Sequence, residues 1–188
     1  MVEPFLGTKT MRRKLYFGLE SGLSWTSTLI KFWTRSKRSH AFFINPEIFD
    51  GTVESLYKPQ SIIEAWTPKG EPLWKTRVIY SSLHNHTPGT PFTVYELEVN
   101  RTQYQKALDF QHTCAYLGIP YDWKAIVSFV IPFKLKRNGY LFCSEKECLC
   151  LKFIGKISED VPCWKMSPDL FEDLLLSLGA KKVGDFKS

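Results

Sequence analysis

The run Gly139-Tyr140-Leu141-Phe142 ends on Cys143, and Ser144-Glu145-Lys146-Glu147 follow at once. Bulky residues give way to helix-tolerant ones at the cysteine, which predicts a helix from Cys143 to about Phe153 with the thiol in its first turn. Unpaired backbone N–H groups and the positive end of the helix dipole there favour thiolate over thiol. A thiolate is a nucleophile, so the fold that makes use of it must bring a base to the start of this helix. A buried, inert Cys packed as a small hydrophobe satisfies the same local pattern, and the rest of the chain has to decide between the two.

Breakers and apolar periodicity divide the chain into short strands and a few helices. Strands are expected at Lys14–Leu19, residues 39–44, Ser61–Trp66, Trp74–Ser81 and Phe92–Val99. Ser24 caps a helix over Trp25–Thr34, whose Trp25, Leu29, Phe32 and Trp33 form an apolar face at helical spacing. Arg35, Lys37 and Arg38 close it with positive charge. Further helices are expected over Thr102–Leu117 (stopped by Gly118), Lys124–Val130 and Leu170–Leu178, the last introduced by Ser167-Pro168-Asp169 and stopped by Gly179. Pro132–Asn138 reads as a basic loop. The expectation is one α+β domain over residues 1–188, with residues 1–20 an extended lead-in and a mostly antiparallel sheet of about five strands.

The 188 residues suffice for a core without staples. The formal net charge of +6 favours an anionic partner or surface. Five cysteines are an odd number and fit no secreted disulfide framework, which predicts reduced thiols in a cytosolic compartment. No run of about 18 apolar residues and no signal-peptide pattern is present, so a cytoplasmic location is expected, or export by a partner or a virion. Cys143, Cys148, Cys150 and Cys163 with His84 and His86 contain no Cys-x-x-Cys pair, which argues against zinc. Lys134, Lys136 and Arg137 come with no nucleic-acid motif, so no specific nucleic acid is expected as partner.

A nucleophilic cysteine needs a base, and the base a polar group that fixes its tautomer. His40 at the start of one strand and Glu64 within Ile62-Ile63-Glu64-Ala65-Trp66 of the next have that chemistry. If the strands pair, both side chains can point to one face, toward the Cys143 helix. The segments Ser36-Lys37-Arg38-Ser39-His40-Ala41-Phe42-Phe43-Ile44, Ile62-Ile63-Glu64-Ala65 and Phe142-Cys143-Ser144-Glu145, in that order, resemble the circularly permuted NlpC-type papain-like hydrolases. That is the YiiX-like group, related to lecithin–retinol acyltransferase, in which the His-bearing strand precedes the Cys-bearing helix. The resemblance spans roughly residues 24–178.

The resemblance implies a papain-like fold, with Cys143 as nucleophile, His40 as general base and acid, and Glu64 as orienter of His40. Gly118-Ile119-Pro120-Tyr121 is similar to the group's Gly-x-Pro-Tyr, so Tyr121 is expected to line the cleft and polarise the substrate carbonyl beside the backbone N–H of Cys143. It implies no cofactor or metal, and a cell-wall peptide or a lipid-like acyl group as substrate. Lys146-Glu147 and the basic insert 134–138 depart from the group's pattern. Glu64 is read as a cleft-edge carboxylate whose conservative replacement leaves folding intact. The competing reading is a non-catalytic binding module on the same fold, recognising an anionic polymer, a lipid or a protein.

Overall fold

Alternating side chains in β1, Arg13–Glu20, send Leu15, Phe17 and Leu19 into one core. A computed structural model of the chain describes residues 12–68, 70–122, 124 and 139–188. β1 lies near the middle of a six-stranded antiparallel sheet of order β4-β3-β2-β1-β5-β6, in which β2 is His40–Ile44, β3 Ile62–Trp66, β4 Arg77–Ser81, β5 Pro91–Val99 and β6 Lys181–Lys187. Gly18 is required opposite Phe42, because a Cβ there would lie 2.1 Å from the Phe42 ring.

Three helices share the face of Phe17, Phe43, Ile63 and Val78: α2, Arg101–Leu117; α3, Cys143–Phe153; and α4, Pro168–Ser177. Asn100 caps α2 in a reciprocal box with Gln103, and Gly118 closes it at φ 58°. The opposite face packs Phe42, Ile44, Ile62, Phe92 and Val94 under Phe49, Leu56 and Leu83 from the connecting loops. The chain is therefore α+β with an antiparallel sheet, as expected at that level.

Four expectations need correction. β6 is a sixth strand with no apolar run to announce it; its Lys181, Lys182, Asp185 and Lys187 suit an exposed edge. β4 begins at Arg77 because Leu73–Lys75 forms a 3₁₀ turn after Pro72. The apolar face expected for α1, Trp25–Thr34, is split: Trp33 packs on the core, whereas Leu29 and Phe32 are exposed. Cys148 and Cys163 are paired as a disulfide, not reduced, because a 3₁₀ turn at Cys163–Lys165 brings their Cα atoms to 5.5 Å. The lead-in up to residue 11, the side chain of Trp25, the helix expected after Lys124, and the basic loop with Lys134, Lys136 and Arg137 lie outside the described residues. No described helix is long and apolar enough to cross a membrane.

Candidate active site

The pairing of β2 with β3 is short: Phe43 faces Ile63 and Ile44 faces Ile62. Toward His40 the two strands part, and the first turn of α3 enters the gap. There the Ala41 N–H donates to Cys143 Sγ. Lys146 Nζ donates to Ile63 O at 3.0 Å and to Gln111 Oε1 at 2.6 Å, and pairs with Glu147 at 2.7 Å. This insertion explains why Ser144, Glu145, Lys146 and Glu147, polar in sequence, are fully buried. Burial raises the Glu147 carboxyl, against the pull of Lys146 and Gln111.

Phe142, the residue before α3, offers no side-chain cap, so the helix start keeps its own N–H groups for other partners. One of them, on Ser144, donates to Cys143 Sγ. The thiol also shares a hydrogen bond with the His40 ring. Burial opposes the thiolate, but His40 and these two backbone donors outweigh it and lower the Cys143 pKa. The His40 pKa is raised well above 6.5: burial lowers it, and Cys143 and Glu64 more than reverse that. The other free cysteines behave oppositely, since burial raises both Cys114 and Cys150.

His40 Nε2–H donates to Glu64 Oε2 at 2.8 Å. That leaves Nδ1 for the thiol, so Glu64 fixes the ring orientation. Glu64 is fully buried, not at a cleft edge. Strand alternation puts it and His40 on the face of Ile62 and Phe42, away from the helices. Cys143 reaches them through the parting of β2 and β3, not across a shared face as the sequence suggested.

Two residues of this site went unrecognised in the sequence. His86 Nε2 bonds Glu64 Oε1 at 3.1 Å, and His86 Nδ1 bonds Glu20 Oε2. A neutral imidazole has one N–H, so donation to both carboxylates requires the imidazolium. Burial lowers the His86 pKa, but Glu64 and Glu20 push it up to about 10. The Glu64 carboxyl falls well below 4.5: burial raises it, and the two histidines overcome that. Cys143, His40, Glu64, His86 and Glu20 thus form one continuous chain of alternating charge. Trp66 stacks on the His86 ring with centroids 4.8 Å apart. Glu20 was legible only through register, as the residue directly opposite His40. His86 sits among turn residues and carries no local signal.

Tyr121 is held by its N–H to Thr76 O at 2.9 Å and by a bridge to Leu141, two residues before the thiol. Its hydroxyl donates to Cys143 Sγ at 4.0 Å and accepts from the Cys143 N–H. Burial and the nearby sulfur raise its pKa well above 10, so it remains a donor. The two donors expected to receive a carbonyl oxygen therefore both lie beside the sulfur, the N–H engaged by the Tyr121 oxygen and the O–H by the sulfur. A cavity of about 270 Å³ opens over His40 and Tyr121, walled by Ser24, which caps α1, by Ser27 and Ile30 within α1, and by Thr67 and Thr76. Among the described residues no cluster of His, Cys, Asp and Glu could hold a metal ion. Comparison of the chain with protein-family models and with curated proteins finds no match.

The charge chain makes stability depend on pH. His86 is raised from 6.5 to about 10, so its contribution is complete below about pH 6.5 and is lost as pH rises toward 10. Glu64 is depressed, so its contribution is complete above about pH 4.5 and fades below it. The melting temperature is expected to peak between these limits and to fall by several degrees between pH 6.5 and 10, at about 2–4 °C per kcal/mol for a chain of this size. Calorimetry across pH checks it. His86→Gln should flatten the alkaline limb; an unchanged limb would mean that His86 is neutral in the fold.

Proposed function

We propose that this protein is a cysteine-dependent hydrolase or acyltransferase acting at an amide or ester carbonyl, on a permuted NlpC-type papain-like fold. The observation that carries this reading is the lowered Cys143 thiol in hydrogen-bond contact with His40, itself oriented by Glu64 at 2.8 Å. Cys143 S⁻ attacks the carbonyl carbon and forms an S–C bond, while the Tyr121 O–H turns from the sulfur and the Cys143 N–H exchanges the Tyr121 oxygen for the developing oxyanion. As the C–N or C–O bond breaks, the His40 imidazolium gives its proton to the departing amine or alcohol. Water, deprotonated by His40, then cleaves the thioester and returns the thiol; an alcohol or amine in its place gives transfer.

The test is intact-mass analysis after incubation with peptidoglycan fragments and, separately, with phospholipid or ester substrates. A stoichiometric acyl adduct on Cys143, or turnover, is expected on one class, and Cys143→Ala should remove both. A second reading, a binding module, draws on the burial of Cys143, which is 1% exposed. No adduct and no turnover on either class would favour it.

A further inference from the structure

Helix α1 is apolar on two sides. Inward, Trp33 joins the core and Ile30 lines the cavity. Outward, Leu29 and Phe32, three residues apart and so on one side of the helix, are exposed, Phe32 by 74%, and Leu23 just before the helix is exposed as well. A surface helix of a soluble protein normally turns a polar face to water, so this outer face calls for a cover. Across the cavity Trp74 is 79% exposed, two residues from the cavity-lining Thr76. Exposed apolar side chains therefore lie on the outer side of the helix that walls the cavity and, at Trp74, two residues along the chain from its opposite lining.

The charge around the mouth names the cover. From Ser21 to Ser39 there is no acidic residue, while Lys31, Arg35, Lys37 and Arg38 are basic, and Lys75 adjoins Trp74. Nearby carboxylates are occupied: Asp169 accepts from the Ser36 hydroxyl and the Lys37 and Arg38 N–H groups, Glu172 pairs with Arg38, and Glu71 pairs with Arg77. Arg35 and Lys37 are exposed. Asp169, Glu172 and Asp173 lie beside Lys37 and Arg38, so the cations counted toward a lipid surface are Lys31, Arg35 and Lys75. Aromatic and aliphatic side chains beside such cations are what an anionic lipid–water interface receives.

We propose that α1 with the Leu73–Lys75 turn docks the protein onto an anionic lipid bilayer, with the cavity mouth facing the headgroups. Lipid acyl carbonyls, rather than cell-wall peptides, are then the substrate class; that consequence rests on the catalytic reading of Cys143, whereas the docking does not.

The test uses the full chain and flotation with vesicles of phosphatidylglycerol and phosphatidylcholine, or of phosphatidylcholine alone. Binding to the anionic vesicles is expected, weakening with salt and with removal of phosphatidylglycerol. Leu29→Ser with Phe32→Ser should lower the partition constant at least about tenfold, since both side chains are exposed and would be buried in the interface. The double variant should keep its melting temperature and the iodoacetamide reactivity of Cys143, which separates docking from catalysis. Failure of the wild type to float with anionic vesicles overturns the proposal. So does a dimer in sedimentation velocity that the double variant dissolves without any vesicle binding, or a preference for oligonucleotide over vesicle. If the protein floats but acylates Cys143 only from peptidoglycan fragments, the docking stands and the lipid substrate class falls.

Discussion

His40→Ala should leave the fold intact and slow turnover by about 10²–10⁴-fold, the usual contribution of a positioned acid–base group. The ring is the largest of the influences holding the Cys143 thiol low, and without it burial is opposed by the Ala41 and Ser144 N–H groups and the long Tyr121 hydrogen bond. The thiol pKa should therefore rise to about 8.5 or above. At pH 6 the thiolate fraction would fall below about 1%, and alkylation by iodoacetamide would fall with it. Cys143→Ala removes turnover and adduct altogether. Turnover with His40→Ala close to that of wild type would assign the chemistry to another base.

Glu64→Gln should cost both stability and rate. The carboxylate is fully buried and bonds two histidines, at 2.8 Å and 3.1 Å. Removing its charge leaves His40 and His86 to share no buried anion between them, and breaking such a pair costs about 3–5 kcal/mol. The expected fall in melting temperature is on the order of 10 °C, where a cleft-edge carboxylate would cost little. The rate should fall by roughly 10- to 1000-fold, because Gln can still accept from His40 but no longer stabilises the imidazolium. Thermal unfolding and turnover on the same preparation check both. Unchanged values for each would remove Glu64 from the site.

The contrast over Glu64 shows which parts of the chain were legible. A short apolar strand with one acidic residue announced a strand, and the caps at Ser24 and Ser167 and the stop at Gly118 placed helix ends to within a residue or two. Those are local signals. Whether Glu64 faced water depended on the loops that cover the sheet, and on His86, a turn residue whose role appears only when β1 and β3 bring Glu20 and Glu64 to it. The burial of Ser144–Glu147 carried no local signal, because nothing local reports that β2 and β3 part there. β6 lacked an apolar run because an edge strand needs none. The disulfide was hidden for a similar reason: the separation of Cys148 and Cys163 in sequence does not fix a distance.

The central claim is that His40 holds Cys143 as a thiolate, and the pH dependence of iodoacetamide labelling at each free cysteine tests it most directly. Cys143 is expected to react with a midpoint below that of a free thiol, about 8.5, while Cys114 and Cys150, whose thiols burial raises, stay unlabelled in the folded protein. His40→Ala should move the Cys143 midpoint upward past 8.5. A wild-type midpoint at or above 8.5 that His40→Ala leaves in place would contradict the account.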